Sequence, residues 1–329
     1  MAEELVHVWH HCHNCEAAPI VGPRYHCETC PAGPDNDLCE KCYELLQKGK
    51  IKHPAEDSPA AASTMGIENH EFIIEEGKPI SQYENWLQVS HPGASNPKVP
   101  DHFVVRPIFT SGMDSVIGGY AFLVEAKEYG THQPLLLTAL HVMDEMIKKK
   151  GIDCTGKNEN YTGSELPAVI TEASFYDLFA SNWMMAPLGS AAPMLVLPGA
   201  RTDDEEPVSH RDIAAFRVKP EDAQDLNPAP LASQAPAVGD PVWLAARPND
   251  DSDQKTFKAV VVEITPRSLV FKYEDPEEKP KYSSGAPVVN KNGEVLGITV
   301  GGGEIYGQKL GHANHVENIR RHLEGAVGQ

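Results

Sequence analysis

Three C-x-x-C pairs open this chain, Cys12/Cys15, Cys27/Cys30 and Cys39/Cys42, and His53 and His70 follow them. These eight soft ligands are enough for two closed tetrahedral zinc sites. Cysteines paired at this spacing, with no secretory-type apolar segment ahead of them, are read as metal ligands rather than disulfides. Alternating ligand sets are expected. Cys12, Cys15, Cys39 and Cys42 would hold one structural Zn2+, and Cys27, Cys30, His53 and His70 the other. Each ion then ties together segments remote in sequence, which a module too small for a real core needs. A reducing, cytoplasmic setting is the expectation that follows.

A second chemistry is spread over three distant segments. Leu135 to Thr138 is apolar and runs through Ala139 and Leu140 to His141. Asp212 opens a second apolar run, Ile213 to Val218, and Ser284 stands in Ser283-Ser284-Gly285 ahead of Ala286-Pro287-Val288-Val289. A serine hydroxyl is a weak nucleophile at neutral pH and needs a base within hydrogen-bond reach. A histidine supplies that base, and an acid holds the ring in the required tautomer and stabilises the imidazolium.

The elements that must position these groups are mostly strands. From His102 onward short apolar or alternating runs recur, among them Phe103–Phe109, Tyr120–Glu125, Leu135–Ala139, Ala168–Thr171, Met194–Leu197, Ile213–Val218, Val242–Ala246, Phe257–Ile264, Leu269–Tyr273, Pro287–Val289 and Val295–Val300. Gly and Pro punctuate them, as in an all-β barrel or sandwich. Asn292-Gly293 predicts a hairpin turn. Helix is scarce: a short one over 142–149 closed by Gly151, and a last one from a cap at Asn314 to about Leu323. The chain divides into a cysteine/histidine module over 1–75, a proline-bearing linker over 76–101 and a β domain over 102–329. The 28 Lys and Arg against 47 Asp and Glu leave a net charge of −19. That balance repels phosphate backbones and argues against a nucleic-acid partner, while favouring basic or amine-bearing ligands. No apolar run is long enough to span a bilayer.

The residues between the cysteines carry a resemblance. Pro19 to Cys27 (PIVGPRYHC) and Asp35 to Cys42 (DNDLCEKC) resemble the ZZ-type zinc finger over the whole module. That family uses the cross-braced pairing given above. Its members keep the two histidines close together, whereas a Pro/Ala-rich insert separates His53 from His70 here. His70, in Asn-His-Glu-Phe-Ile, is the better match. Several ZZ fingers read the free N-terminus of a peptide with acidic side chains, and Asp35 and Asp37 occupy that acidic edge. The other reading of Asp37 is that it orders the zinc loop by capping a turn. His13 stands where an acid would strengthen the amine-binding reading. His7, His10, His11 and His13 are otherwise read as surface histidines.

The order His141, Asp212, Ser284 in an all-β context resembles the chymotrypsin-fold, trypsin-like serine proteases from about Phe103 to Leu323. Val238 to Trp243 resembles the strand that opens the second barrel in bacterial members. The resemblance implies a mainly β fold, a small cross-brace zinc finger followed by a double six-stranded β-barrel. It also implies a serine endopeptidase with protein or peptide substrates, and a finger that recruits substrate or partner. The backbone N–H groups of Tyr282 and Ser284 would form the oxyanion hole. The family has glycine where Tyr282 stands, and a side chain resists the backbone that glycine permits. One missing donor costs roughly 10²–10³ in rate, so a catalytically silent or partner-activated peptide-binding protein is the competing reading. Glu278 is read as part of a solvated loop, and Thr299 and Gly301 to Gly303 as the strand along which a substrate peptide adds.

Overall fold

The structure, a computed structural model, describes residues 3–29, 36–53, 70–130, 132–155, 158, 160–178, 187–202, 210–223, 226–247, 255–277 and 283–326. Two compact units divide the chain. One comprises Met1–Gln88 with Gly302–Leu310, the other Val89–Gly301 with Gly311–Gln329.

The first unit is built on short strands: β1 (Leu5–His7), β2 (Ile20–Val21), β3 (Arg24–Cys27), β4 (Asp37–Cys39), then helix α1 (Glu40–Gln47), β5 (Phe72–Glu75), β6 (Lys78–Pro79) and helix α2 (Glu84–Gln88). They form two three-stranded sheets, ordered β2-β1-β6 and β4-β3-β5. Residues 78–88, expected within the proline-bearing linker, thus contribute a strand and a helix to this unit. Gly77 allows the approach: a Cβ there would lie 2.6 Å from the Val6 nitrogen. The apolar core is small, formed by Cys12, Ile20, Leu38, Cys42 and Leu46. Tyr25 stacks on Tyr43 at 3.9 Å between ring centroids. Two of those five residues are cysteines, so burial alone cannot hold the module.

The second unit is mainly β and carries two closed six-stranded barrels, the trypsin-like fold. Its first half runs β7 (Val104–Ser111), β8 (Asp114–Ile117), β9 (Ala121–Val124), β10 (Leu135–Thr138), helices α3 (Asp144–Lys149) and α4 (Leu166–Val169), β11 (Glu172–Asp177), β12 (Gly189–Met194) and β13 (Ala214–Val218). The sheet order β11-β12-β13-β10-β9-β7 closes through β11 pairing with β7, and β8 hangs on as an extra hairpin strand. The second half runs β14 (Pro241–Ala245), β15 (Thr256–Ile264), β16 (Leu269–Tyr273), β17 (Pro287–Val289), β18 (Val295–Ile305), β19 (Gln308–His315) and helix α5 (Val316–Ala326). It closes in the order β14-β15-β16-β19-β18-β17.

Phe109, Leu123, Leu136, Phe175 and Phe216 fill the first barrel. A larger cluster runs on from Phe103, Phe122 and Leu137 through Trp243 and Phe271 to Ile298 and Ile319, so both barrels share apolar contacts. Three expectations shift. The run 168–171 ends a short helix behind Pro167 rather than forming a strand. The strand expected at 194–197 lies earlier, at Gly189–Met194. β8, β11 and β19 fall outside the expected runs, because Asp and Ser in the first two and Gly, His and Asn in the last break the apolar pattern. Gly293 takes φ +80° in the predicted hairpin. The final helix begins at Val316, with Asn314 still in β19.

Candidate active site and metal centre

Strand register explains why His141 and Asp212 meet. β10 and β13 pair antiparallel, with Leu135 opposite Arg217 and Thr138 opposite Ala214. The chain leaving β10 and the chain entering β13 therefore share one end of the ladder. Leu140 and Met143, both fully buried, pin the short 3₁₀ turn that carries His141. The Asp212 carboxylate, 2% exposed, holds the histidine at two points. Its Oδ2 accepts from Nδ1 at 2.6 Å and its Oδ1 accepts the His141 backbone N–H at 3.0 Å. With Nδ1 donating, Nε2 is left as the basic nitrogen of the neutral ring. Burial acts to lower the His141 pKa, but the charge and hydrogen bond of Asp212 outweigh it, and the net direction is upward.

Ser284 sits in a turn fastened to the same place by glycines. Gly285 takes φ +84°, and a Cβ there would lie 2.1 Å from the Tyr120 carbonyl oxygen and 2.6 Å from Thr138 Oγ1. Thr138 donates to that same Tyr120 oxygen at 2.7 Å. The Tyr120 N–H donates to the Ser284 carbonyl at 2.8 Å. Gly119, at φ +54°, lets the Ser284 carbonyl and the Val142 side chain approach one point: a Cβ there would be 2.4 Å from one and 2.7 Å from the other. The serine turn thus lies against the residue next to His141. On its other side Gly285 N–H donates to Thr299 O at 2.7 Å, and Thr299 N–H to Ala286 O at 2.8 Å. Ser284 is half-buried. Among the described residues no hydrogen bond joins its Oγ to His141, and none accepts its backbone N–H. Tyr282, expected to give the other oxyanion donor, and Glu278 lie outside the described residues.

Of the glycines expected along the substrate strand, only Gly301 belongs to this unit. In the first unit, a Cβ on Gly303 would lie 2.2 Å from Val8 O, and Glu304 N–H donates to that carbonyl at 3.0 Å. The chain's own residue 8 therefore occupies the strand edge at 303–304.

Seven of the eight expected metal ligands are described, and they converge in the first unit. Cys12, Cys15, Cys39 and Cys42 place their sulfurs within 4.8 Å of one another, and so do the ligand atoms of Cys27, His53 and His70. Cys30 lies outside the described residues. Tetrahedral zinc with Zn–S of about 2.3 Å sets its sulfurs about 3.8 Å apart, and a sulfur and an imidazole nitrogen about 3.5 Å apart. Cys15 Sγ to Cys39 Sγ is 3.9 Å, and Cys27 Sγ to His70 Nδ1 is 3.5 Å. The donor sets fit zinc. Burial, with hydrogen bonds among the thiols, pushes Cys42 up to about 12 without the metal. His53 and His70 stack at 4.2 Å between centroids, despite the insert between them.

Asp37 is buried, and both its oxygens are engaged inside the module. His10 Nδ1 and Arg24 Nη1 donate to Oδ2, and His26 Nδ1 to Oδ1, each at 2.8 Å. Burial opposes its ionisation, but those bonds and the Arg24 charge hold its carboxyl well below the usual range. This arrangement matches the loop-ordering role. Asp35 lies outside the described residues. Two histidines read as surface residues are not: His7 is buried with its Nε2 on Glu75 O, and His10 belongs to the Asp37 cluster. The signal missed was the β pattern around them, in which Val6 and Val8 mark a buried strand.

A family model described as a trypsin-like peptidase domain matches residues 119–298, more than half of the chain, and one described as a zinc finger of ZZ type matches 6–53. The finger match ends at His53, and His70 enters from beyond it. Among solved structures, the chain is similar to the active form of the Rv3671c protease from M. tuberculosis, at 14% identity over 73% of this chain and 94% of that one, with a TM-score of 0.43. It is similar to the serine endoprotease from Yersinia pestis at 16% identity over 75% and 67%, TM-score 0.43. Deg5 matches at 13% identity over 73% and 91%, TM-score 0.41. No curated protein matches the chain significantly. By the sequence match, the chain belongs to the trypsin-like peptidase family of serine endopeptidases, with a ZZ-type zinc finger ahead of the peptidase domain.

Proposed function

We propose that His141, Asp212 and Ser284 act as a catalytic triad and that the finger recruits protein substrates or a partner. The observation that carries the first part is the two-point hold of Asp212 on His141. His141 Nε2 takes the Ser284 hydroxyl proton as Oγ bonds to the scissile carbonyl carbon. The imidazolium gives that proton to the leaving amine as the C–N bond breaks, which leaves an acyl-enzyme. Water then repeats the sequence and frees the serine. Asp212 keeps the ring oriented and stabilises the imidazolium throughout. The Ser284 N–H, which no described group accepts, faces the oxyanion with the Tyr282 N–H.

The finger holds two zinc ions in the alternating sets, and Cys30 completes the second. It takes a peptide with a free N-terminal amine along its acidic edge, and with the Asp37 carboxylate engaged internally, Asp35 is the acid left for the ammonium. The protein works in the cytoplasm, where thiolate ligands stay reduced. No helix among the described residues is long and apolar enough to cross a membrane. A second reading, activation by a partner, is favoured by the missing Ser284–His141 bond, since catalytic bonds often tighten only on substrate or partner binding.

A fluorophosphonate probe tests the triad. Zinc-loaded protein is expected to be labelled at Ser284, with labelling abolished in Ser284→Ala and His141→Ala. Equal labelling of wild type and variants would defeat the triad, while labelling that appears only with a peptide or protein added would select the partner-activated form.

A further inference from the structure

The backbone that leads into Asp212 is gripped by a histidine from the last helix. His322, on α5, is buried. Its Nδ1 faces the Pro198 carbonyl at 3.1 Å, and its Nε2 faces the His210 carbonyl at 3.0 Å. The second of these carbonyls lies two residues ahead of Asp212. Both partners can only accept, so the ring has to donate, and a neutral ring has one N–H to give. Burial pulls the His322 pKa down, and the positive charges of Arg321 on the same helix and Arg211 next to Asp212 act the same way, against the two carbonyl bonds. The ring is therefore neutral near pH 7 and serves one carbonyl at a time. The two carbonyls differ in what else fixes them. Pro198 packs on Gly325, 3.5 Å from the point where a Cβ would stand, and its neighbours Leu197 and Ala200 belong to the core cluster. His210 and Arg211 are only half-buried, and the Arg211 carbonyl accepts from Arg201 N–H at 2.8 Å. The helix that presents the imidazole is firmly seated. Ile319 and Leu323 are fully buried in the core cluster, Arg320 Nη1 donates to Ser233 O at 3.1 Å and Asn318 Nδ2 to Arg267 O at 3.2 Å.

Resting on the triad reading above, we propose that His322 is a positioning residue for the triad: its Nε2–H fixes the His210 carbonyl, and with it the segment that brings Asp212 to His141. The imidazole touches neither substrate nor the reacting atoms. It acts through the two bonds by which Asp212 holds His141, at 2.6 and 3.0 Å. Removing the donor leaves a buried carbonyl unmet, which costs more than the bond itself gained, and frees the segment to shift. Burial lowers the His141 pKa, while Asp212, with a smaller share from Asp144, raises it. A shifted Asp212 therefore lowers that pKa and weakens the orientation of the ring together.

The test compares His322→Phe, His322→Gln and His322→Asn in full-length, zinc-loaded protein. A carboxamide keeps an N–H donor at every pH: the longer one reaches the place of Nε2, the shorter one the place of Nδ1. Fluorophosphonate labelling of Ser284 is followed across pH, with urea unfolding of the peptidase unit in parallel. His322→Phe and His322→Asn are expected to slow labelling by roughly tenfold or more and to move its pH midpoint down toward the ordinary histidine value of about 6.5. His322→Gln is expected to restore both. If His322→Phe prevents folding, the two carboxamide variants decide alone. A pH midpoint that stays in place while all variants lose stability alike means a packing role and overturns the proposal, as does His322→Gln no better than His322→Asn. If wild-type protein is not labelled at all, the triad reading fails instead. The proposal is then decided by proton NMR of the His141 Nδ1–H on Asp212, whose low-field signal is expected to persist in His322→Gln and to be lost in the other two. A signal alike in the three variants overturns it.

Discussion

The finger and the peptidase unit hold their chemical groups by opposite means. In the finger the expected ligands are themselves part of the scaffold: among the described residues Cys12 and Cys42 share a core with Ile20, Leu38 and Leu46. In the peptidase unit the reactive groups lie at the edge of a core that would persist without them, with Phe103, Phe122, Trp243 and Phe271 fully packed beneath. There the positioning depends on close backbone approach at Gly119 and Gly285, where no Cβ fits. The lesson is that metal chemistry can be read from ligand spacing, whereas serine chemistry has to be read from what surrounds the serine.

Removal of zinc breaks the contrast most severely. Structural zinc contributes about 10–16 kcal/mol to such modules near neutral pH. A strong chelator is expected to unfold the finger, seen as loss of the near-ultraviolet signal of the stacked Tyr25 and Tyr43. Ser284 labelling should survive. A finger that kept its fold without metal would erase the distinction.

Gly285→Ala probes the peptidase side. The new Cβ meets the Tyr120 carbonyl and Thr138 at a positive φ, so the expected loss is about 3 kcal/mol or more. It is read as an earlier urea transition of the peptidase unit, with slower labelling. Wild-type behaviour would mean that the serine turn is not fastened as described. The smallest effect concerns finger packing. Tyr43→Leu removes the stack on Tyr25 and is expected to cost about 1 kcal/mol, seen as a lower midpoint for finger unfolding at fixed zinc.

What the sequence disclosed follows the same division. Cys12, Cys15, Cys39 and Cys42 were readable because ligand type and spacing are local properties. His53 was readable as a residue but not as a neighbour of His70, because the insert hides their stacking. His141, Asp212 and Ser284 were visible only as an order of residues along the chain. Their meeting depends on the register of β10 with β13 and on two glycines whose role appears only with the neighbouring carbonyls in place. β19 is not legible in the sequence, since its glycine, two histidines and asparagine carry no period-two apolar signal, although Gly311 and Ala313 pack inward on Phe271 and the core.

The central claim is that Asp212 and His141 make Ser284 reactive. The measurement that tests it most directly is the pH dependence of fluorophosphonate reaction at Ser284, in wild type and in Asp212→Asn. In the proposed triad the neutral ring is the base, and Asp212 raises the His141 pKa against the opposing effect of burial. The rate should therefore rise with pH through a midpoint above the ordinary histidine value of about 6.5. The same raised pKa means the ion pair's contribution to stability is full below the unfolded value and fades as pH climbs through the folded one. Asp212→Asn is expected to slow the reaction near neutral pH by roughly 10⁴-fold. A rate that ignores pH between about 5 and 8, or an Asp212→Asn variant as fast as wild type, would contradict the account.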